Sequence, residues 1–143
     1  MNREKIYSAL FKLLKNIQII NTFDRILLHW DDVSPSMQPA LFLTQTNQVA
    51  QQVTGFPTKY VLGAKVYLYT HRDTNGIIPT AQLNDILDAM DEALRPVPSP
   101  TNKQTLGGLV EHCWIDGAIE TDEGTLGLQV VAIVPISILV VAS

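Results

Sequence analysis

The stretch KYVLGAKVYLYTH, residues 59–71, decides the fold of this 143-residue chain. Read with a period of two, one of its faces carries only apolar side chains, those of Tyr60, Leu62, Ala64, Val66 and Leu68. The other face is mixed and carries Lys59, Val61, Gly63, Lys65, Tyr67 and Tyr69. This alternation predicts a strand that lies on a core with one face and is partly in contact with water on the other.

Two other segments have helical periodicity. Apolar residues three and four positions apart predict one helix over Arg3–Ile17 and a second, better defined helix over Leu83–Leu94, with Pro79 where that helix can begin. Four acidic residues lie off the second apolar stripe and predict a solvent-facing surface: Asp85, Asp88, Asp91 and Glu92.

The remaining apolar segments are interpreted as strands. Short ones are expected at Arg25–Trp30 (a strand or an extended lead-in) and at Ala40–Thr44, and a strand of mixed character at Leu109–Ile119. The polar, Gln-rich segment Gln45–Thr58 is interpreted as an extended arm or the limb of a hairpin.

The chain ends in a predicted hairpin. Thr121–Gly124 is expected to form its acidic turn, and Leu126–Val141 returns as a long strand whose even positions are all apolar. Because Pro135 lacks an N–H, it predicts a bulge, a bend or a sheet edge at that point. The order of elements predicts one α+β domain over residues 1–143: a mainly antiparallel sheet with two amphipathic helices packed on one face and a C-terminal β-hairpin.

Composition narrows the classes of function. Hydrophobic residues make up 46% and charged residues 17% of the chain, and the net charge is −4. A low charged fraction is typical of a subunit that buries surface against others, and an acidic balance disfavours binding of nucleic acid through phosphate contacts. Cys113 is the single cysteine, which excludes an intramolecular disulfide. No signal peptide is predicted, and Leu126–Ala142 is too short for a membrane helix.

No pattern of catalytic, cofactor-binding or metal-ligating residues is found. The segment His29–Asp32 is interpreted as a capped loop rather than a metal or acid–base site. His112 and Cys113 are neighbours on a strand and therefore point to opposite faces, with Cys113 in the core. Gly107 and Gly108 are expected in a tight turn. Tyr67 and Tyr69 are expected to pack against a helix or a neighbouring subunit.

The order of elements and several local segments resemble the tail terminator, or tail completion, proteins of tailed bacteriophages and related minor tail proteins of prophages. The likeness covers nearly the whole chain. It rests on the N-terminal amphipathic helix, PALFLTQ at Pro39–Gln45, the GFP closure at Gly55–Pro57, the strand YVLGAKVYLYTH and the C-terminal hairpin.

The resemblance implies a virion structural protein and not an enzyme. Such subunits form a hexameric ring on the head-proximal end of the tail tube, end tube polymerisation and dock head-completion proteins, while genomic DNA passes through the lumen without specific binding. The expected location is the tail or neck of a virion assembled in the host cytoplasm, with no membrane and no cofactor. The residues expected at subunit interfaces are Gln48, Gln51, Gln52, Phe56, Pro98 and Pro100.

Two alternatives stay open at this point. One is another neck or head–tail joining subunit of a virion. The other is a small cytoplasmic enzyme or ligand-binding domain, which would have a concave pocket with converging polar groups between the sheet and the second helix.

Overall fold

Two helices cover one face of a six-stranded, mainly antiparallel sheet in a computed structural model that describes residues 1–71, 78, 80–97 and 102–142. The α+β prediction is therefore confirmed. The helices are α1 (Arg3–Leu14) and α2 (Ala81–Ala93). The strands are β1 (Thr22–Asp24), β2 (Ala40–Gln51), β3 (Lys59–His71), β4 (His112–Ile115), β5 (Glu120–Leu126) and β6 (Gln129–Val141).

The sheet is built outward from β3, which pairs along its whole length with β2 on one side and with β6 on the other. The order is β1-β2-β3-β6-β4, and β5 pairs with the same edge of β6 as β4, further towards the start of β6. Only β1, which is parallel to β2, departs from the antiparallel pattern.

The main core lies between the helices and one face of the sheet. The helical stripes are buried at Ile6, Leu10 and Leu14 in α1 and at Leu83, Ile86 and Met90 in α2. Opposite them lie the apolar faces predicted from the period of two, at positions 62, 64, 66 and 68 of β3 and positions 130–140 of β6. The four carboxylates of α2 face away from this core, as predicted.

A smaller cluster covers one end of the other face of the sheet, which we call the outer face. There the loop of residues 25–39 packs Val33 and Met37 against Phe42 and Tyr69. The Tyr69 hydroxyl donates to the Leu28 carbonyl at 2.6 Å. The expectation that Tyr69 packs against a helix or another subunit is thus wrong, because a loop of the same chain returns over it.

A reciprocal pair of buried glutamines fixes that loop. Gln38 donates to the Gln129 side chain at 2.8 Å, and Gln129 donates back at 3.1 Å. Gln129 also donates to the Thr70 carbonyl at 2.9 Å, and Gln38 to the Val33 carbonyl at 3.0 Å. Each buried amide is therefore satisfied by its neighbours.

Several predicted boundaries differ from the structure. α1 ends at Leu14, although Ile17 is still buried beyond it. The early strand is Thr22–Asp24 and not Arg25–Trp30, whose apolar run is part of the loop over the outer face. Within Leu109–Ile119 only His112–Ile115 is a strand. Pro79 lies outside the described residues.

The predicted acidic turn is also wrong. Thr121–Gly124 belongs to β5, and the chain turns at Gly127 and Leu128 instead. Gly127 has a φ of +68°, which only glycine adopts at low cost. Most of β5 is exposed, so its sequence lacks the alternation that identifies a half-buried strand.

Pro135 causes neither a bulge nor a bend, because β6 keeps its register with β3 through Lys65 opposite Pro135. On the other side of β6, β4 pairs up to Ile136 and β5 begins at Ile133, so Pro135 lies in the gap between them. Its carbonyl accepts from the Asp116 N–H at 3.0 Å. The edge alternative is confirmed, since no ladder bond is required of the missing N–H.

Candidate subunit interface

The hairpin formed by β2 and β3 confirms the interpretation of the Gln-rich segment as a hairpin limb. β2 pairs with β3 from Ala40 to Gln51, but β1 covers the other side of β2 only from Ala40 to Phe42. From Leu43 to Gln51, no strand among the described residues covers that side of β2. Exposed backbone N–H and C=O groups along such an edge can pair with another chain.

A bulge at Thr46–Asn47 divides the hairpin into two halves. Gln45 lies opposite Ala64, whereas Gln48 lies opposite Leu62, so β2 contains one extra residue there. The bulge folds over Gly63. A Cβ on Gly63 would lie 2.3 Å from Thr46 Oγ1 and 2.9 Å from the Asn47 carbonyl oxygen. Glycine at position 63 therefore permits this close approach of the two strands.

Gln48 lies on the helix side of the sheet. Its side-chain oxygen accepts from Arg3 Nε at 2.7 Å, and Arg3 also lies over the ring of Tyr60, with its guanidinium carbon 5.4 Å from the ring centroid. The Tyr7 hydroxyl donates to the Gly63 carbonyl at 2.9 Å, and burial raises its pKa. α1 thus contacts the hairpin next to the bulge, and the side chain of Gln48 already has a partner within the chain.

The exposed end of the hairpin brings together three other expected interface residues. Gln51 ends β2, and Gln52 and Phe56 lie in the connector to β3. Phe56 is 70% exposed and Val53 is 61% exposed. A hydrogen bond of 3.0 Å from the Phe56 N–H to the Val53 carbonyl closes the turn between them. The end of the hairpin is therefore uncharged and carries two exposed apolar side chains, those of Val53 and Phe56.

The other two expected interface residues, Pro98 and Pro100, lie outside the described residues. The segments on either side of them are joined, since the Val97 N–H donates to the Lys103 carbonyl at 3.2 Å. Lys103 also forms an ion pair with Glu111 at 2.6 Å.

A row of side chains that was not predicted from the sequence lies on the outer face at this same end of the sheet. Val49, Val61, Leu139 and His112 are cross-strand partners on four successive strands. His112 stacks on Trp114 with ring centroids 5.1 Å apart and an angle of 13° between the planes. The odd positions of β3 and β6 could have indicated this row, because they are less polar than the residues of a strand face that is fully in contact with water.

The far edge of the sheet has a different character. β5 carries Glu120, Asp122 and Glu123 in seven residues, and none of these carboxylates forms an ion pair with another described residue. Asp122 and Glu120 lie opposite Val131 and Ile133 and so point to the outer face.

The residues considered for chemistry have structural roles. His29 caps a short 3₁₀ turn by accepting from the Asp31 N–H at 3.1 Å, as its interpretation as a capped loop predicted. Cys113 is buried, and burial raises the pKa of its thiol to about 12. Gly107 and Gly108 lie in a turn. Within residues 1–71, 78, 80–97 and 102–142, no three His, Cys, Asp or Glu side chains converge as metal ligands.

One cavity of about 390 Å³ lies between the end of α1 and the loop before β4. Its lining includes Lys12, Asn16 and Gln104. The Gln104 side chain donates to the Arg95 carbonyl and accepts from the Leu106 N–H, both at 3.1 Å, so it is used to hold the loop. Apart from Gln104, the polar side chains that line this cavity are Lys12 and Asn16. A second cavity, of about 350 Å³, lies on the outer face beside the bulge, and its lining includes Asn47, Lys65, Asp116 and Ser137.

Comparison with known protein families and with curated proteins finds no match for this chain. Among the described residues, none of the helices has the length and apolar character needed to cross a bilayer.

Proposed function

We propose that this protein is a structural ring subunit at the head-proximal end of a phage tail tube, where it ends tube polymerisation and joins the tail to the head or neck. One observation carries the proposal: the β2–β3 hairpin presents an uncovered, uncharged strand edge that ends in an exposed apolar connector. An edge of this kind is a hazard in a monomer and is normally blunted or covered. A neighbouring subunit in a ring would cover it.

The outer face of the sheet supports the same proposal. The row from Val49 to His112 is apolar or aromatic and is left uncovered by the loop that packs on the other end of that face. Apolar surface beside an open edge is typical of an assembly contact.

The charge of the chain bears on the passage of DNA. Each phosphate contact by Lys or Arg strengthens DNA binding through counterion release. With 10 Lys and Arg against 14 Asp and Glu, a ring of these subunits has an excess of negative charge. We propose that DNA moves through the lumen without specific binding, with the tail tube protein and a head-completion protein as the partners of the two ring faces.

The first test is the mass of the purified protein in solution, measured by light scattering after size exclusion over a range of concentrations. The expected result is a species of six times the 15.8 kDa subunit mass, seen as a ring with a central opening by electron microscopy. A monomer that stays monomeric at every concentration, and does not shorten tubes polymerised from a tail tube protein, would contradict the proposal.

A matched pair of variants locates the contact. Phe56→Asp places a charge on the connector and is expected to shift the mass distribution towards monomer. Ile26→Asp makes the same kind of change at a side chain of similar exposure, 73%, on the loop over the opposite end of the outer face. The ring should survive Ile26→Asp. Equal losses in the two variants would show that the hairpin is not the specific contact.

The choice of binding partner distinguishes the proposal from its nearest alternative. A tail terminator ring binds the end of a tail tube, whereas a head–tail joining subunit binds the connector protein of the head and leaves the tube length unchanged. Tube-length distributions with and without the protein, measured by electron microscopy, distinguish the two.

A further inference from the structure

The two edges of the sheet differ in how they are protected against strand addition. The segment of residues 33–58, which contains all of β2, has no charged residue. Along the open part of β2, from Leu43 to Gln51, there is also no proline, and the bulge at Thr46–Asn47 is its single irregularity. Charged side chains, Pro and bulges are the usual devices that protect an edge, and of these the open part of β2 has the bulge alone.

The opposite edge consists of β4 and β5, which lie end to end along the same side of β6. β4 has four residues, whereas β5 has seven and is exposed over most of its length. Its three carboxylates protect it from pairing with a copy of itself, because like charges would lie close together. Of the two segments, β5 is the one long enough to cover the open part of β2.

We propose that β5 of one copy adds to the open edge of β2 in the next copy, so that the sheets of neighbouring subunits join head to tail. This inference rests on the proposed ring function and names the contact that would build the ring. The occupant of the β2 edge is thus a second copy of this chain.

The strand directions agree with such a contact. β2 and β6 run in the same direction, since both are antiparallel to β3, and β5 runs opposite to β6. In two copies of the same orientation, β5 of one is therefore antiparallel to β2 of the other. Because β5 is level with Ala40–Phe42, which β1 covers, and β4 is level with the open part of β2, the contact also requires the two copies to be offset along the strands by about six to eight residues, roughly 20–27 Å. Antiparallel pairing needs no crossover connection and gives the more stable ladder of the two kinds.

Charge also agrees. Lys59 and Lys65 lie on the outer face of β3, one strand in from the open edge, and neither forms an ion pair with a described residue. In a joined sheet, Glu120 and Asp122 of the next copy would lie on that same face. Two strand spacings, about 10 Å, would separate their backbones from β3, which extended Lys and Glu side chains can span. Lys59 and Lys65 are about 20 Å apart along β3, whereas Glu120 and Asp122 are about 7 Å apart along β5, so one alignment brings one lysine close to these carboxylates; for Ala50 opposite Thr121 it is Lys59.

The contact is compatible with a ring. It uses different surfaces on the two partners, so a growing row of subunits keeps one free edge at each end and closes into a ring when the rotation between neighbours brings these ends together. Pairing of two β2 edges with each other would instead use the same surface twice and stop at a two-fold dimer.

Cysteine cross-linking tests the contact. Ala50→Cys is placed on β2 and Thr121→Cys on β5, and both positions are exposed. Both lie on the helix side of the sheet, because their cross-strand partners there are Tyr60 and Ala132. The native Cys113 is buried and is therefore not expected to react with the cross-linker. The two variants, carrying tags of different length, are mixed before assembly and treated with a short thiol-specific cross-linker. Asp88→Cys on α2 is the matched control.

The expected product is the mixed dimer between the two variants, with no dimer of either variant alone and none from Asp88→Cys. A dimer of Ala50→Cys with itself would overturn the inference in favour of a two-fold contact. An intact ring by mass that gives no mixed product would also overturn it, while the proposed ring function would stand. Absence of any assembly would instead contradict the proposed function.

Charge reversal gives a second test that does not depend on cross-linking. Lys59→Glu with Lys65→Glu should weaken association about tenfold at low salt, because the carboxylates of β5 then lie near an acidic instead of a basic side chain. Glu120→Lys with Asp122→Lys should weaken it to a similar extent. The chain carrying all four changes should recover most of the loss, and Asp85→Lys with Asp88→Lys should have no effect. Failure of the fourfold variant to recover, with unchanged thermal unfolding, would overturn the inference.

Discussion

The two halves of the β2–β3 hairpin use the same pair of strands in opposite ways. In the near half, from Ala40 to Thr44, almost every β2 residue is buried, with helices on one face and the loop of residues 25–39 on the other. In the far half, from Gln45 to Gln51, every residue is exposed and one edge is open. Under the proposed ring contact, stability depends on the near half and assembly on the far half, so substitutions should affect one property without the other.

The largest expected effect is in the near half. Phe42 is fully buried and its ring lies 5.4 Å from that of Tyr69. Phe42→Ala should lower the free energy of unfolding by about 3–5 kcal/mol, because it removes a large buried side chain and leaves a cavity. Phe56→Ala, the same change in the far half, should lower it by less than about 0.5 kcal/mol. Denaturant unfolding measures both, and a large effect of Phe56→Ala would erase the distinction between the halves.

The boundary between the halves is tested by Gly63→Ala. The added Cβ meets Thr46 Oγ1 and the Asn47 carbonyl, so we expect a loss of about 1–3 kcal/mol, at the upper end because one obstacle is backbone. Thr46→Ala removes the nearer obstacle. The double variant should therefore recover part of the loss but not all of it. Thermal unfolding of the original chain, the two single variants and the double variant measures the coupling energy between the two positions. If the effects of the two substitutions simply add, positions 46 and 63 are not in contact.

The glutamine pair provides the third test. Gln129→Leu removes the donor to the Gln38 side-chain oxygen and one hydrogen bond each from the Gln38 amide and the Thr70 carbonyl, which should cost about 1–3 kcal/mol. Gln38→Leu combined with Gln129→Leu should cost less than the sum of the single changes, because both ends of the pair are removed together. Ring formation should be unaffected as long as the chain is folded, since the pair lies at the near end.

The smallest expected effect is that of pH. A hydrogen bond from Arg25, followed by one from Ser8, holds the pKa of Glu4 below its ordinary value of 4.5. A hydrogen bond from Lys103 does the same to the pKa of Glu111. Because these pKa values are lowered by folding, their stabilisation is present above the ordinary value and is lost as pH falls through the lowered value.

Both carboxyls are at the surface, so the decline in Tm between about pH 5 and pH 3 should be shallow. Glu4→Gln with Glu111→Gln should flatten it further, while Asp85→Asn with Asp88→Asn should not. A steep decline that persists in the first double variant would point to a buried carboxylate elsewhere in the chain.

The parts of the fold that were predictable from sequence are those with one buried face. The stripes of α1 and α2 and the alternation in β3 and β6 each mark a boundary between core and solvent, and all four elements were found. β5 was missed because it is an edge strand with little buried surface, and β1 because three residues give no period. The loop over Tyr69 was missed because its contacts join residues about forty positions apart.

The site was predictable as a segment but not as a surface. The polar run from Gln45 onward marked the exposed limb of the hairpin. The bulge, however, shifts the alternation by one residue, so that Gln48 joins the helix side with Arg3 while Gln51 faces the outer side. A period counted through the segment cannot show that shift, and the row from Val49 to His112 depends on pairing among four strands.

Gly63 also has a consequence for the alignment of the two strands. A limb made mostly of Thr, Gln and Asn gains little from any one alignment, so a slip by two residues would otherwise cost little and leave each side chain on its own face. After such a slip, the bulge at Thr46–Asn47 would lie over Val61 or Lys65, whose Cβ atoms have no room beneath it. A single missing side chain thus sets where an otherwise repetitive strand stops, and with it the position of every backbone group that the open edge offers to a partner.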